Sequence, residues 1–354
     1  MSIRIVFLDD DPVIRIARYV LQKRHDDPWI SDFFSPEIVD MSAAVQAAQG
    51  IVQNDDIQVE LASGPVTNAD VLVCRRGIVD ADVLKANPGL RLVVRLGERP
   101  DGIDVATLEA SHVNVVCVKR PTLIYTAEHA LLLMMALSRR LLPADRAVRE
   151  GVYDATQLHP IDNVSYNWAN VAGSTGLYGR TLGVIGLGEV GTLVARLALA
   201  FGMKVLYYKR SKLSVHQEKV LNIEYAALDE LLATADFVSL HVDNTPQNAN
   251  LMGKTAFSKM RPEAFFINVS RGKLVDEDAL YEALTDGSIA GAGLDTHRIE
   301  PRPAQDRYAQ LDNVILTPHF AGGARSGVLA ELNEIFQAIQ HTLTPTRETP
   351  CPIA

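Results

Sequence analysis

Residues 184–211 decide the fold, and they read VIGLGEVGTLVARLALAFGMKVLYYKRS. Gly186, Gly188 and Gly191 lie between an apolar run at 181–185 and a segment with helical periodicity. This order predicts a strand, a tight turn, a helix and a second strand. In such a unit the first glycine permits the turn, the second lets a pyrophosphate approach the backbone, and the third lets the helix pack on the strand. The stretch therefore predicts a dinucleotide site, with a glycine-rich turn that binds no ligand as the alternative.

The second strand of this unit ends in Lys209, Arg210 and Ser211. A unit selective for NAD carries an aspartate or glutamate there, which accepts hydrogen bonds from the ribose hydroxyls. A cationic pair would instead attract a 2′-phosphate, which carries about two negative charges. We therefore expect the cofactor to be NADP, with NAD as the second choice. The alternative is that both cations only solvate a turn.

Length and composition limit the class of protein. A chain of 354 residues is long for one compact core, which predicts two domains. The net charge of −9 argues against a nucleic acid or an anionic membrane as partner, because either would require a basic face. Cys74, Cys117 and Cys351 share no metal-ligand spacing, so we expect no metal site and a reducing, cytoplasmic location. The longest apolar stretch, 130–137, is too short to span a membrane.

Strand-like apolar runs alternate with helical patterns along most of the chain. The runs are continuous rather than alternating in hydrophobicity, which is typical of parallel strands covered on both faces in an α/β fold. A helix is predicted at 126–142, a polar excursion without regular structure at 143–178, and a last helix at 326–343. The ten runs lie at 3–8, 71–74, 92–94, 113–118, 182–185, 205–208, 237–242, 265–269, 291–294 and 314–317.

Arg271, Glu300 and His319 each follow one of these predicted strands, where open parallel sheets bind their ligands. A 2-keto acid accepts hydride at C2 only if its oxygen gains a proton, which histidine can supply near neutral pH. A neighbouring carboxylate stabilises the charged histidine, and arginine binds a substrate carboxylate through planar, charge-assisted hydrogen bonds. Each residue alone could be a surface arginine, a helix-capping acid or a core histidine. Together they predict a hydride-transfer site.

These motifs resemble one known family. The glycine turn is joined by NVSRG at 268–272, by GLD at 293–295 with EP after it, and by TPH at 317–319 with AGG after it. This combination is similar to the D-isomer-specific 2-hydroxyacid dehydrogenases. The similarity extends over 126–323 and, less closely, over 71–121.

The resemblance implies roles for individual residues. Arg271 would bind the substrate, His319 would be the acid/base with Glu300 as its partner, and Asp295 would hold the nicotinamide amide. The cofactor-binding residues expected from the motif and the resemblance are Gly186, Leu187, Gly188, Glu189, Val190, Gly191, Lys209, Arg210, Ser211, Val269, Ser270 and Asp295.

The resemblance also implies an architecture and an activity. Two doubly wound parallel-sheet domains are expected, with a Rossmann-type cofactor domain at 125–323 inserted in a flavodoxin-like substrate domain formed by 1–124 and 324–354. Residues from about 143 to 178 would form the dimerisation arm of a homodimer. The implied reaction is reduction of a small 2-keto acid, similar to glyoxylate or hydroxypyruvate, to the D-2-hydroxy acid with NAD(P)H.

The substrate loop departs from the family's pattern and reads RLGERPDGID at 95–104. Leu96, Gly97 and Glu98 are the expected backbone donors to the substrate carboxylate. Arg99 either selects an acidic substrate or is a solvated loop residue.

Two further departures concern the pocket wall and the arm. Thr296 and His297 stand where the family usually has an aliphatic and an aromatic residue, so His297 is expected in the pocket wall or at the surface. Tyr166 and Trp168 either close the pocket from a partner subunit or are buried in the arm.

Two functions from other classes stay open. A dinucleotide-sensing corepressor can share the fold and retain the three catalytic residue types, and a turnover assay would separate it from an enzyme. Oxidation of another small anion, such as phosphite, is the second. Formate enzymes of the group carry glutamine where Glu300 stands, which argues against formate.

Overall fold

The computed structural model describes residues 2–151, 167–323 and 325–343. The chain forms two compact units, each built on a parallel sheet. One unit holds the chain up to Thr122 together with the C-terminal helix, and the other spans Leu123–Gly323.

The first unit has a five-stranded sheet in the order β2-β1-β3-β4-β5, which is the flavodoxin-like order. Every neighbouring pair of its strands is parallel. The strands are β1 Ile3–Phe7, β2 Ile57–Leu61, β3 Val71–Cys74, β4 Leu92–Leu96 and β5 Asn114–Val118. The helices are α1 Pro12–Leu21, α2 Pro28–Phe34, α3 Ser42–Val52, α4 Ala81–Ala86, α5 Val105–Ala110 and the closing helix α13 Val328–Leu343.

The second unit has seven parallel strands in the order β12-β11-β10-β9-β6-β7-β8. From β6 the chain first adds strands on one side of the sheet, and from β9 onward it adds them on the other side, as in a Rossmann fold. The strands are β6 Thr181–Ile185, β7 Lys204–Tyr208, β8 Glu224–Tyr225, β9 Phe237–Leu240, β10 Phe265–Asn268, β11 Gly291–Leu294 and β12 Val314–Leu316. The helices are α6 Leu123–Ser138, α7 Leu141–Glu150, α8 Glu189–Ala200, α9 Val215–Leu221, α10 Leu228–Thr234, α11 Lys254–Phe257 and α12 Glu277–Thr285.

Both sheets are covered on both faces, as the continuous apolar runs predict. Strands β3, β9 and β11 are buried at every residue. In the first unit, α1, α3 and α13 pack on one face around Phe7 and Phe336. In the second unit, α6 and α8 cover one face, while α10, α11 and α12 cover the other. The predicted fold class, two doubly wound α/β units with parallel sheets, is confirmed.

The helix predicted at 126–142 is two helices in the structure. Helix α6 ends at Ser138, and Arg140 adopts a left-handed backbone with φ of 52° before α7 begins. The polar excursion predicted from residue 143 therefore starts inside a helix. Residues 152–166, which include Tyr166, lie outside the described residues, and Trp168 is exposed.

Within residues 2–151, 167–323 and 325–343, no helix combines the length and the apolar character that a transmembrane span needs.

Candidate active site

The glycine turn follows β6, and its three glycines meet three different requirements. Gly186 has φ of +95°, and a Cβ there would lie 2.5 Å from the His241 carbonyl oxygen at the end of β9. A Cβ on Gly191 would lie 2.2 Å from the Gly186 oxygen, so α8 can pack on the turn only without a side chain there. A Cβ on Gly188 would meet no atom within 4 Å, so this side of the turn has room for a ligand.

Helix α8 begins directly after this turn, and no side chain caps its N-terminus. The first backbone N–H groups of an α-helix have no partner within the helix. Those groups and the positive end of a 12-residue helix favour an anion. Leu187, between the first two glycines, is buried in the core of this unit. The residues present therefore fit the pyrophosphate of a dinucleotide.

The end of β7 carries Lys209, half-buried, and Arg210 and Ser211, both exposed. Within the described residues, neither Lys209 nor Arg210 forms an ion pair. The nearby acid, Glu218, accepts a hydrogen bond from the Tyr207 hydroxyl at 2.8 Å and is engaged elsewhere. Burial and this bond raise the pKa of Tyr207 to about 12, so the hydroxyl stays a donor. The two cations are thus available to a ligand at this edge.

Arg271, Glu300 and His319 follow β10, β11 and β12, which are adjacent parallel strands. All three loops therefore lie at the carboxyl edge of the sheet, the same edge as the glycine turn. His319 Nδ1 lies 2.8 Å from Glu300 Oε2, and both side chains are partly exposed. The structure brings the predicted histidine and carboxylate into direct contact.

Glu300 is held in its charged form. Burial alone raises the pKa of its carboxyl group. The hydrogen bonds from the His297 N–H and from His319 lower the pKa by more than burial raises it, so the pKa lies below the ordinary value. A carboxylate at this position stabilises positive charge on the imidazole. The pair can therefore hold a proton and release it at Nε2, the nitrogen that Glu300 does not engage.

Asp295, at the end of β11, is fully buried, and it organises the loop that carries His319. Its carboxylate accepts hydrogen bonds from the Thr317 hydroxyl at 2.7 Å and from the N–H groups of Phe320 and Ala321, each at 3.0 Å. His319 itself has φ of 53°, a left-handed backbone that few residues other than glycine adopt. Through these hydrogen bonds Asp295 holds the strained turn at His319 in place. The sequence reasoning missed this role.

Asn268 plays the corresponding part for Arg271. Its amide group donates to the Arg271 carbonyl at 3.1 Å and accepts from the Ser270 N–H at 3.0 Å. Ser270 donates its hydroxyl to the Val242 carbonyl at 3.0 Å, and Val269 is buried. The turn thus presents Arg271, whose side chain is exposed, at the sheet edge. In the sequence, an asparagine at the end of an apolar strand was the signal that could have predicted this supporting role.

The substrate loop belongs to the first unit and begins within β4, whose last residue is Leu96. Leu96 and Gly97 are buried and Glu98 is exposed. The Gly97 N–H donates to the Val118 carbonyl at 2.9 Å, so this expected substrate donor is already engaged within the sheet. The N–H groups of Leu96 and Glu98 stay predicted donors.

In the part of the chain that the structure describes, we find no set of side chains that could bind a metal ion. Across those residues, no group of three or more His, Cys, Asp or Glu side chains could hold a metal ion.

Comparison with known proteins adds to this geometry. Residues 131–321, more than half of the chain, match the family model of the D-isomer specific 2-hydroxyacid dehydrogenase NAD binding domain. A glyoxylate reductase from Korarchaeum cryptofilum is 41% identical over 248 residues, which cover 70% of this chain and 71% of that protein. The chain belongs to the D-isomer specific 2-hydroxyacid dehydrogenase family. The resemblance seen in the motifs is confirmed.

Other members of this dehydrogenase family show the same relationship. A D-3-phosphoglycerate dehydrogenase from Mycobacterium tuberculosis is 38% identical over 75% of this chain, although the match covers 49% of that longer protein. The NAD-complexed structure of a D-isomer specific 2-hydroxyacid dehydrogenase from Lactobacillus delbrueckii superimposes with a TM-score of 0.54. That superposition covers 96% of each chain at 23% identity, so it supports the fold alone.

Proposed function

We propose that this dehydrogenase reduces a small 2-keto acid, of the glyoxylate or hydroxypyruvate type, to the D-2-hydroxy acid with NADPH. The contact between His319 and Glu300 carries the proposal. The carboxylate stabilises the protonated imidazole, and that imidazole gives the proton that keto-acid reduction consumes. Relatives named glyoxylate reductase, at 41% and 37% identity, favour this substrate class.

His319 acts as the acid in the proposed reduction. Its Nδ1–H donates to Glu300, and its Nε2–H gives a proton to the C2 oxygen as C2 gains hydride. Bound NADPH supplies that hydride. In the reverse direction the neutral imidazole accepts the hydroxyl proton at Nε2, so a single residue serves both directions.

Arg271 binds the carboxylate of the keto acid. Its planar guanidinium forms two parallel charge-assisted hydrogen bonds with a carboxylate, which fixes the orientation of C2. Asn268 donates to the Arg271 carbonyl, so the backbone from which the Arg271 side chain extends is held in place. In the first unit, the backbone N–H groups of Leu96 and Glu98 stay predicted substrate donors.

The cofactor is held by the glycine turn and the end of β7. The turn from Gly186 to Gly191 binds the pyrophosphate, while Lys209, Arg210 and Ser211 bind the 2′-phosphate of NADP. Val269, Ser270 and Asp295 line the nicotinamide end. NAD, which lacks the 2′-phosphate, is the weaker cofactor in this proposal. We assign cofactor binding to residues 125–323, and substrate binding to 1–124 with 324–354.

Steady-state kinetics on a panel of keto acids tests the proposed function. Glyoxylate, hydroxypyruvate, pyruvate, phenylpyruvate and a branched 2-keto acid are each offered with NADPH and with NADH. We expect turnover, with the highest kcat/KM for a small substrate with NADPH. Cofactor binding without turnover of any keto acid would contradict the proposal and favour a dinucleotide-sensing protein.

The Glu300→Gln substitution should narrow the pH range of keto-acid reduction on its alkaline side. Reduction needs the protonated imidazole, and glutamine removes the negative charge that stabilises it. The falling limb of the kcat/KM profile should move down by about one pH unit. Glu334→Gln, an exposed position in α13, is the matched control and should keep the wild-type profile. An unchanged limb in Glu300→Gln would contradict the pairing.

We also propose a homodimer that uses α7. None of the residues of this helix is buried, and Leu141 and Val148, two turns apart on one face, are 50% and 55% exposed. Leu142 beside them is 47% exposed. An apolar face of this kind on a polar helix is typical of an interface. A second copy of the chain is the proposed partner.

Light scattering should give twice the chain mass of 38.7 kDa for the wild type. The double substitution Leu141→Glu with Val148→Glu should give the monomer, because two charges would then face the partner. Glu150→Ala, on the opposite face of α7, should stay dimeric. A wild-type monomer, or a dimer that survives the double substitution, would contradict the interface.

A further inference from the structure

His297 contacts the loops of all three proposed catalytic residues. It is 8% exposed, so it is not a surface residue. Its backbone lies against Gly272, where a Cβ would come within 2.0 Å of the His297 carbonyl carbon, and Gly272 directly follows Arg271. Its N–H donates to Glu300 Oε1 at 2.8 Å. Its ring Nε2 lies 2.9 Å from the carbonyl oxygen of Thr317, two residues before His319.

The partners of the His297 ring fix its tautomer. A carbonyl oxygen can only accept a hydrogen bond, so Nε2 carries the hydrogen and donates it to the Thr317 carbonyl. On the other side, Arg302 Nη1 lies 2.8 Å from Nδ1, and a guanidinium can only donate. Nδ1 is therefore the unprotonated acceptor. Both ring nitrogens are engaged, which leaves neither for a substrate.

Arg302 is itself fixed in place. It donates to Glu277 at 3.3 Å and to Asp306 at 3.0 Å, and its guanidinium lies 4.6 Å from the centre of the Tyr308 ring. The His297 ring is thus held between an anchored cation and the backbone of the loop that carries His319. This chain of contacts ties the β11 loop to the β12 loop.

We propose that His297 is a positioning residue that sets the spacing between Glu300 and His319. The inference rests on the proposed function. Its backbone N–H orients one oxygen of Glu300, and its ring holds the His319 loop at the distance where the other oxygen meets Nδ1. Asp295 fixes the β12 loop but is not bonded to Glu300, and the Glu300 and His319 side chains are 36% and 41% exposed, so their own contact does not suffice to hold Glu300 in place.

Three substitutions at His297 separate the two ring contacts. Phenylalanine keeps the ring volume and loses both hydrogen bonds. Glutamine places an N–H donor near the Nε2 position and restores the bond to Thr317, whereas asparagine places an acceptor near Nδ1 and restores only the bond to Arg302. His341→Phe, at an exposed position of α13, is the matched control.

We expect the phenylalanine and asparagine variants to lower kcat for keto-acid reduction about 10-fold, because a small misplacement of the acid is costly. Their KM for NADPH should stay unchanged, and their alkaline pH limb should move down as it does in Glu300→Gln. Glutamine should restore kcat to within about 3-fold of the wild type. The control should match the wild type throughout. A wild-type kcat and pH limb in the phenylalanine variant would overturn the proposal, as would equal losses in the glutamine and phenylalanine variants.

An NMR titration gives a readout that does not need catalysis. Labelled histidine resonances are followed against pH in the wild type, in His297→Phe and in His297→Gln, with His319→Ala to assign His319. The His319 imidazole should lose its proton at a lower pH in the phenylalanine variant and at the wild-type pH in the glutamine variant. An identical His319 titration in all three proteins would overturn the positioning role. Absence of keto-acid turnover in the wild type, together with the expected titration shift, would overturn only the proposed function.

Discussion

Replacing His319 by alanine should lower kcat for keto-acid reduction by about 100-fold or more. The substitution removes the one side chain that gives a proton to the C2 oxygen, while the glycine turn and the end of β7 stay intact. The dissociation constant for NADPH should therefore change little. Stopped-flow turnover and fluorescence titration of the cofactor measure the two quantities on the same preparation.

The matched control for this substitution is His341→Ala. This histidine is exposed near the end of α13 and belongs to no proposed site. It should keep the wild-type kcat. Near-native turnover in His319→Ala would remove the acid/base role and weaken the assignment of the reaction.

The double substitution Lys209→Asp with Arg210→Ala should reverse the cofactor preference. It removes two cations from the predicted 2′-phosphate site and adds the carboxylate that would accept hydrogen bonds from a ribose 2′-hydroxyl. A hydrogen bond to a charged group contributes about 1.5–3 kcal/mol, so the ratio of kcat/KM for NADPH over NADH should fall by about 100-fold or more. Parallel assays with the two cofactors give the ratio.

Lys204→Asp repeats the Lys209→Asp exchange at the other end of the same strand. Lys204 begins β7 and is exposed at the amino edge of the sheet, far along the strand from the glycine turn. Its cofactor ratio should equal that of the wild type. A wild type that prefers NADH, or a double variant with an unchanged ratio, would contradict the role of Lys209 and Arg210.

The strands that sequence patterns predicted carry continuous apolar runs, the edge strands β5 and β12 included. Strands β3 and β11 begin and end as predicted, and each ends where the chain changes from apolar to charged, at Arg75 and Asp295. The edge strands β2 and β8 were missed. In β2, Gln58 and Glu60 alternate with apolar residues, since an edge strand is partly solvated. In β8 only two residues pair, which is too short for any periodicity.

The break between α6 and α7 was missed for a different reason. Residues 139 and 140 are both arginine, which is a good helix former and favours the last turn of a helix. Helix α6 packs on β10 and β11, whereas no residue of α7 is buried, and the chain turns between the two helices with a left-handed backbone at Arg140. Local propensity does not encode such a tertiary effect.

The candidate site divides in the same way. Arg271, Glu300 and His319 were predictable because the chemistry demands these residue types directly after parallel strands. Of their supports, Asn268 acts within its own turn, whereas Asp295 and His297 act through contacts between loops that are distant in sequence. Such contacts follow from strand order, and a single sequence gives no direct signal for which loops are neighbours.

Transfer of a labelled hydride tests the proposed reaction most directly. The protein is incubated with hydroxypyruvate as the keto acid and with NADPH that carries deuterium at both hydrogen positions of nicotinamide C4. Mass spectrometry and chiral chromatography of the product then report where the deuterium lies and which isomer has formed. We predict one deuterium at C2 of D-glycerate. No deuterated glycerate, or deuterium in the L-isomer, would contradict the assignment of this chain as a D-specific 2-keto acid reductase.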